Sequence, residues 1–147
     1  MPAIYTAEWY ESLKEILNSS DEVTKNAPRG QWHVLAEIKG DATSPYLSEG
    51  DLKRFGIVLT DGKCDQYEEL TEEPQRKDFQ FILDIPASLF ERIVANEADP
   101  LEAGLKGAIK ITGDMRVLIQ NAELVNILSQ IYQRDVETDW PKGKPPY

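Results

Sequence analysis

Few side chains in this sequence are suited to chemistry at neutral pH. There is one histidine, His33, and one cysteine, Cys64. A general base needs an orienting group and a reacting proton within hydrogen-bond reach. Glu37 lies on the same face of an extended segment as His33 but two side chains farther along, so His33 reads as a surface or half-buried structural residue. A lone histidine also excludes a histidine-rich metal site. Cys64 follows a turn in a strand pattern, where a free cysteine behaves as a small buried apolar residue. The stretch YEELTEEPQRKD gathers Glu68, Glu69, Glu72 and Glu73. Two of these could be imagined as an acid–base pair, but a loop of mixed charge reads as a solvated surface. GDATSPYLSEGD lacks the lysine of a phosphate-binding loop. No catalytic residue, metal ligand or cofactor is assigned, and an enzyme is not expected.

The totals bound the partners. The 147 residues fit one domain, and a chain of that size can bury roughly 68–70% of its unfolded surface without a metal or disulfide staple. A net charge of −10 argues against a nucleic-acid partner and against simple electrostatic docking to anionic lipid. One cysteine permits no internal disulfide. With no signal-peptide pattern at the N-terminus, the expected compartment is the cytoplasm. No apolar run approaches the roughly 20 residues that a membrane span needs.

The elements that must position any site follow from periodicity. Thr6 can cap a first helix whose stripe is Tyr10, Leu13 and Leu17, and Ser20 or Asp21 offers a second cap. Strands are predicted over 32–38, 55–60, 64–68, 79–85 and 108–112. Asp61-Gly62 suits the type I′ turn of a hairpin. Pro86 fits near the start of a helix carrying Phe90 and Ile93, and Asp99-Pro100 starts another. Asp114 can cap a helix with Met115 and Leu118 on its apolar side, followed by a last helix bearing Leu124 and Leu128. The order suggests an α+β fold: a five-stranded, largely antiparallel sheet with helices covering one face. Residues 1–134 form the domain, and the tail 135–147 is expected to be extended or disordered.

LKGAIKITGD, residues 105–114, is a short strand bracketed by glycines and followed by the mostly apolar MRVLIQNAELVNILSQIY. Together with Phe79, Phe81 and Leu83 on one strand face, Phe90, Ile93, Ile109, Ile111, Met115, Leu118, Leu124 and Leu128 form a large apolar set. Pattern alone leaves two alternatives open: a solid core or the wall of a cavity.

FILDIPASLFERIVANEADPLEAGLKGAIKITGDMRVLIQ, residues 81–120, resembles the sterol carrier protein 2 (SCP2-like) family. The matching positions are Phe90, Ile93, Asp99, Pro100, Ala103, Gly107, Ile109, Ile111, Gly113 and Asp114. The resemblance implies a five-stranded sheet with an apolar tunnel between sheet and helices for fatty acyl or sterol-like ligands, roofed by the last helices. Two departures stand out. The link over 40–54 exceeds the family's short turn, and the final KPPY is not the small-apolar tripeptide that directs some members to peroxisomes.

The leading expectation is therefore a non-enzymatic carrier of a hydrophobic small molecule, with the eleven residues Phe79 to Leu128 named above lining the ligand. The alternatives are a protein-interaction module of the same fold with a filled core, and a small enzyme built on His33.

Overall fold

Alternating apolar residues produce five strands: β1 (Gln31–Lys39), β2 (Leu52–Thr60), β3 (Lys63–Glu69), β4 (Phe81–Pro86) and β5 (Lys110–Gly113). They form one sheet in the order β3-β2-β1-β4-β5. Only the central β1–β4 pair is parallel; the β1–β2, β2–β3 and β4–β5 pairs are antiparallel. The structure is a computed structural model and describes the backbone of residues 1–147 and every side chain except that of Gln133. The expected α+β architecture is present.

Six helices accompany the sheet: α1 (Ala7–Ser19), α2 (Asp21–Asn26), α3 (Ala87–Val94), α4 (Pro100–Leu105), α5 (Met115–Gln120) and α6 (Ala122–Arg134). Their starts obey side-chain capping. The Thr6 and Ser20 hydroxyls accept from the backbone N–H groups of Trp9 and Val23, and the Asp99 and Asp114 carboxylates accept from those of Leu101 and Arg116. Asp61 and Gly62 have φ of 47° and 85°, as a type I′ turn requires. A Cβ on Gly62 would lie 2.7 Å from the Thr24 carbonyl oxygen, so the hairpin tip can seat against α2 only without a side chain there.

Residues directly opposed across strands share a face. Ala36 stands beside Phe55 and Leu83, and Ile38 beside Ile85. This face meets the helices, and α1 places Trp9, Tyr10, Leu13 and Leu17 in the same buried cluster. The other face is not bare. Leu35, Ile82 and Glu37 on it are all buried. Residues 70–80 cross it: Leu70 packs beside Gly56, and Arg76 Nη1 donates to Glu37 Oε1 at 2.5 Å, while Arg54 Nε reaches Oε2 at 3.4 Å. The charged loop read as a solvated surface is thus a cover. Its Glu72 and Glu73 are exposed, but its arginine is tied down.

Three strand starts differ from the periodicity by two or more residues. β2 starts at Leu52, ahead of Phe55, because Leu52, Lys53 and Arg54 pair with Lys39, Ile38 and Glu37 of β1. β4 starts at Phe81 because residues 76–78 form a short 3₁₀ turn and the Gln80 side chain caps β1, accepting from the His33 N–H and donating to the Gln31 carbonyl. β5 starts at Lys110 because the N–H groups of Ala108 and Ile109 both turn back to the Ala103 carbonyl and close α4. The tail 135–147 lacks helix, and its one bridge pairs Asp139 with Ala3. It is docked nonetheless: the Ile4 N–H donates to the Asp139 carbonyl (3.1 Å), and the Trp9 indole N–H donates to Thr138 Oγ1 (2.9 Å).

Candidate functional site

The apolar set singled out by sequence falls into four groups. Leu83, Phe90, Ile93, Ile109, Ile111, Leu124 and Leu128 are brought together in one cluster between the sheet and helices α3, α4 and α6. Phe90 is its hub, with its ring 5.9 Å from that of Tyr5, 6.0 Å from Trp9 and 5.8 Å from Phe55. Phe81 lies at one border, buried and stacked on Trp32 at 6.4 Å. Its ring also occupies the space a side chain at position 113 would need, since a Cβ on Gly113 would lie 2.4 Å from it. Met115 is 48% exposed and Leu118 is half-buried; α5, which packs chiefly on α6, buries none of its residues. Phe79 lies apart, beyond the start of β4, edge-on to His33 with ring centroids 6.3 Å apart.

Residues that the sequence reading left out complete the layer. Tyr5, Trp9, Tyr10, Phe55, Tyr67, Ile127 and Ile131 belong to the same cluster. The α1 stripe was legible as amphipathic, but nothing local says that it packs on this face. The Tyr67 and Tyr132 hydroxyls hydrogen-bond to one another, whereas the Tyr10 hydroxyl is buried without a partner.

One carboxylate lies within this layer. Glu91, on α3, is fully buried and accepts from three hydroxyls: Tyr5 and Ser44 at 2.7 Å on Oε2, and Tyr147 at 2.8 Å on Oε1. Burial pushes its pKa up, and the three hydroxyls only partly offset that. Beside it, Asp41 anchors the long link between β1 and β2. Its Oδ1 accepts from the N–H groups of Thr43 and Ser44, and its Oδ2 from Ser88 Oγ and N–H at the start of α3. The extended link is therefore fixed to the helix layer.

The chemistry-bearing residues are dispersed. His33 Nε2 is 2.9 Å from Gln31 Oε1, with the Phe79 ring against its own. Cys64 is buried, and burial pushes its thiol up to about 11. Two crevices border α1. One, of about 460 Å³, runs between α1 and β3 and is lined by Tyr10, Glu11, Lys14 and residues 65–69. The other, of about 740 Å³, lies along the outer side of α1 beside Glu8, Glu11 and Glu15. Neither is lined by any of the eleven residues picked from sequence. Among the described residues, no helix is long and apolar enough to cross a membrane.

The SCP-2 sterol transfer family model matches residues 29–126, from the start of β1 into α6. The chain belongs to the SCP-2 sterol transfer family. Solved structures agree on the fold. A crystal structure of sterol carrier protein 2 superposes with a TM-score of 0.73 at 16% identity, over 89% of this chain and 98% of that one. The solution structure of a conserved hypothetical protein from Thermus thermophilus, described as possibly a sterol carrier protein, gives 0.74 at 17% identity, over 97% and 96%. The apo form of sterol carrier protein 2 from Yarrowia lipolytica gives 0.50 at 15% identity, over 85% and 89%. No curated protein sequence matches the chain.

Proposed function

We propose that this SCP-2 family member binds and carries a hydrophobic small molecule, a fatty acid, fatty acyl or sterol-like lipid, without catalysing a reaction on it. The ligand enters the layer between the sheet and helices α3 to α6, against Leu83, Phe90, Ile93, Ile111, Leu124 and Leu128. Residues 1–134 supply this layer, with the tail clasped against it through Trp140 and the Tyr147 hydroxyl, and the cytoplasm as the place of action. The observation that carries the reading is α5. Its sequence MRVLIQ is apolar, yet it buries no residue. A helix so weakly held can shift at small cost and admit a ligand beneath it. Transfer is then driven by desolvation, about 0.8 kcal/mol per methylene removed from water.

The filled interior favours a second reading, a protein-interaction module of the same fold, because the cluster around Phe90 already occupies the space between the layers. Leu128→Trp separates the two. Leu128 is half-buried on α6 against the cluster. In a carrier the added ring takes up ligand space, so uptake of a fluorescent fatty acid or sterol falls while thermal stability is kept. In a solid core the same change overpacks and costs roughly 1–3 kcal/mol. A parent protein without saturable uptake, and without lipid in an organic extract of the purified protein, refutes the carrier reading.

A further inference from the structure

Among the described residues, four of the seven exposed large apolar side chains come from one stretch at the β5 edge of the sheet: Leu101 (38% exposed), Leu105 (86%), Met115 (48%) and Ile119 (73%). The stretch shares one support, α6. α4 and α5 flank β5, both pack on α6, and Gly104 lies against Ile111. Its charge is opposite to that of the whole. Residues 100–120 carry Lys106, Lys110 and Arg116 against two carboxylates, Glu102 and Asp114, a net +1 in a chain of net charge −10. All three cations are exposed. Lys106 and Arg116 form ion pairs with Glu102 and Asp114 on the open surface, where such pairs are weak.

We propose that this corner, α4–β5–α5, is the surface by which the protein docks on an anionic lipid bilayer. Leu105 and Ile119 enter the acyl boundary, and Lys106, Lys110 and Arg116 meet the headgroups. The inference rests on the carrier reading for its purpose, since a carrier must reach a lipid reservoir, but not for its evidence. Aliphatic side chains beside lysine and arginine are the composition of an interfacial anchor. Protein interfaces draw their strongest contacts from Trp, Tyr and Arg, and residues 100–120 include no aromatic residue. The opposite candidate surface is unsuited: the outer side of α1 carries Glu8, Glu11 and Glu15, which anionic headgroups repel. The net charge does not decide the matter, because screening confines attraction to the charges nearest the membrane, within about 8 Å at physiological salt.

Flotation of the full chain with phosphatidylcholine vesicles, with and without phosphatidylserine, tests this. The parent should float with the serine-containing vesicles, and less so as salt is raised. Leu105→Ser with Ile119→Ser should weaken flotation by about tenfold or more, since about 1.4 kcal/mol of lost burial is a factor of ten. Lys106→Glu with Lys110→Glu should lose the serine-dependent part and leave the remainder. Leu52→Ser, at a half-exposed leucine elsewhere, should float like the parent. Parent protein that does not float, or corner variants that float equally, overturns the proposal. So does a sedimentation dimer that the Leu105 and Ile119 changes abolish, which would assign the corner to a second copy. Fatty-acid uptake measured on the same variants keeps the two readings apart. Loss of flotation with uptake intact bears on docking alone, and absent uptake with intact flotation bears on the carrier reading alone.

Discussion

Two buried glutamates show how one residue type takes opposite roles from its neighbours. Glu37 sits on the outer sheet face. Burial alone would raise its pKa, but the guanidiniums of Arg76 and Arg54 outweigh that and hold the carboxyl below its usual range. Glu91 is bonded by hydroxyls and no cation, so burial prevails, the nearby Asp41 charge adds to it, and its pKa is raised. The two must therefore link stability to pH with opposite signs. A carboxyl with a lowered folded pKa stabilises the protein above the unfolded value near 4.5, and that contribution disappears as pH falls through the folded pKa. A carboxyl with a raised folded pKa favours the fold below 4.5 and loses that contribution as pH rises through the folded pKa. Thermal unfolding of Glu37→Gln and Glu91→Gln beside the parent, from acid to neutral pH, should show this. The parent's advantage over Glu37→Gln grows with pH, and its standing relative to Glu91→Gln declines. A flat difference for Glu91→Gln refutes the raised carboxyl. Neither role was legible in sequence. Glu91 reads there as one polar position of an amphipathic helix, and its three partners lie 86, 47 and 56 positions away.

At the scale of elements, legibility followed locality. The four side-chain caps, the Asp61-Gly62 turn and all five strands depend on residues a few positions apart, and the sequence exposed them. The errors came where a distant group decides. Phe79 reads as a strand residue on the face of Phe81 until the Gln80 side chain, bound across to β1, delays the strand and turns Phe79 to the other side. Met115 reads as a cavity wall from helical spacing, but the placement of α5 on α6 leaves it half in water. The tail, rich in proline and lysine, has no period to betray its docking. That docking makes a prediction. Thr138 is the acceptor for the indole N–H of the fully buried Trp9. Thr138→Val keeps the shape and leaves the donor unsatisfied, so urea unfolding should report a loss of about 1–3 kcal/mol. A change below about 0.5 kcal/mol would place it with ordinary surface substitutions and show that the tail is not clasped there.

Over the whole molecule the strand order has a consequence for how the chain reaches this state. β1, β2 and β3 are a meander, and their registered partners are 13 to 29 positions apart across β1–β2, and fewer across most of β2–β3. The parallel β1–β4 seam joins residues 47 positions apart at every step, from Val34 with Phe81 to Lys39 with Pro86. Loop-closure entropy rises with that separation. The meander can therefore assemble as soon as residue 69 exists, whereas the seam waits for β4. Folding kinetics should place the nucleus in β1–β3. Ile57→Val, in the meander, should slow folding, and Ile85→Val, on the seam, should mainly speed unfolding. The reverse pattern would put the seam first. A nascent chain cut off from β4 would thus present the unpaired edge of β1, with Leu35, Ala36 and Ile38 beside it, until the second half of the sheet arrives to cover it.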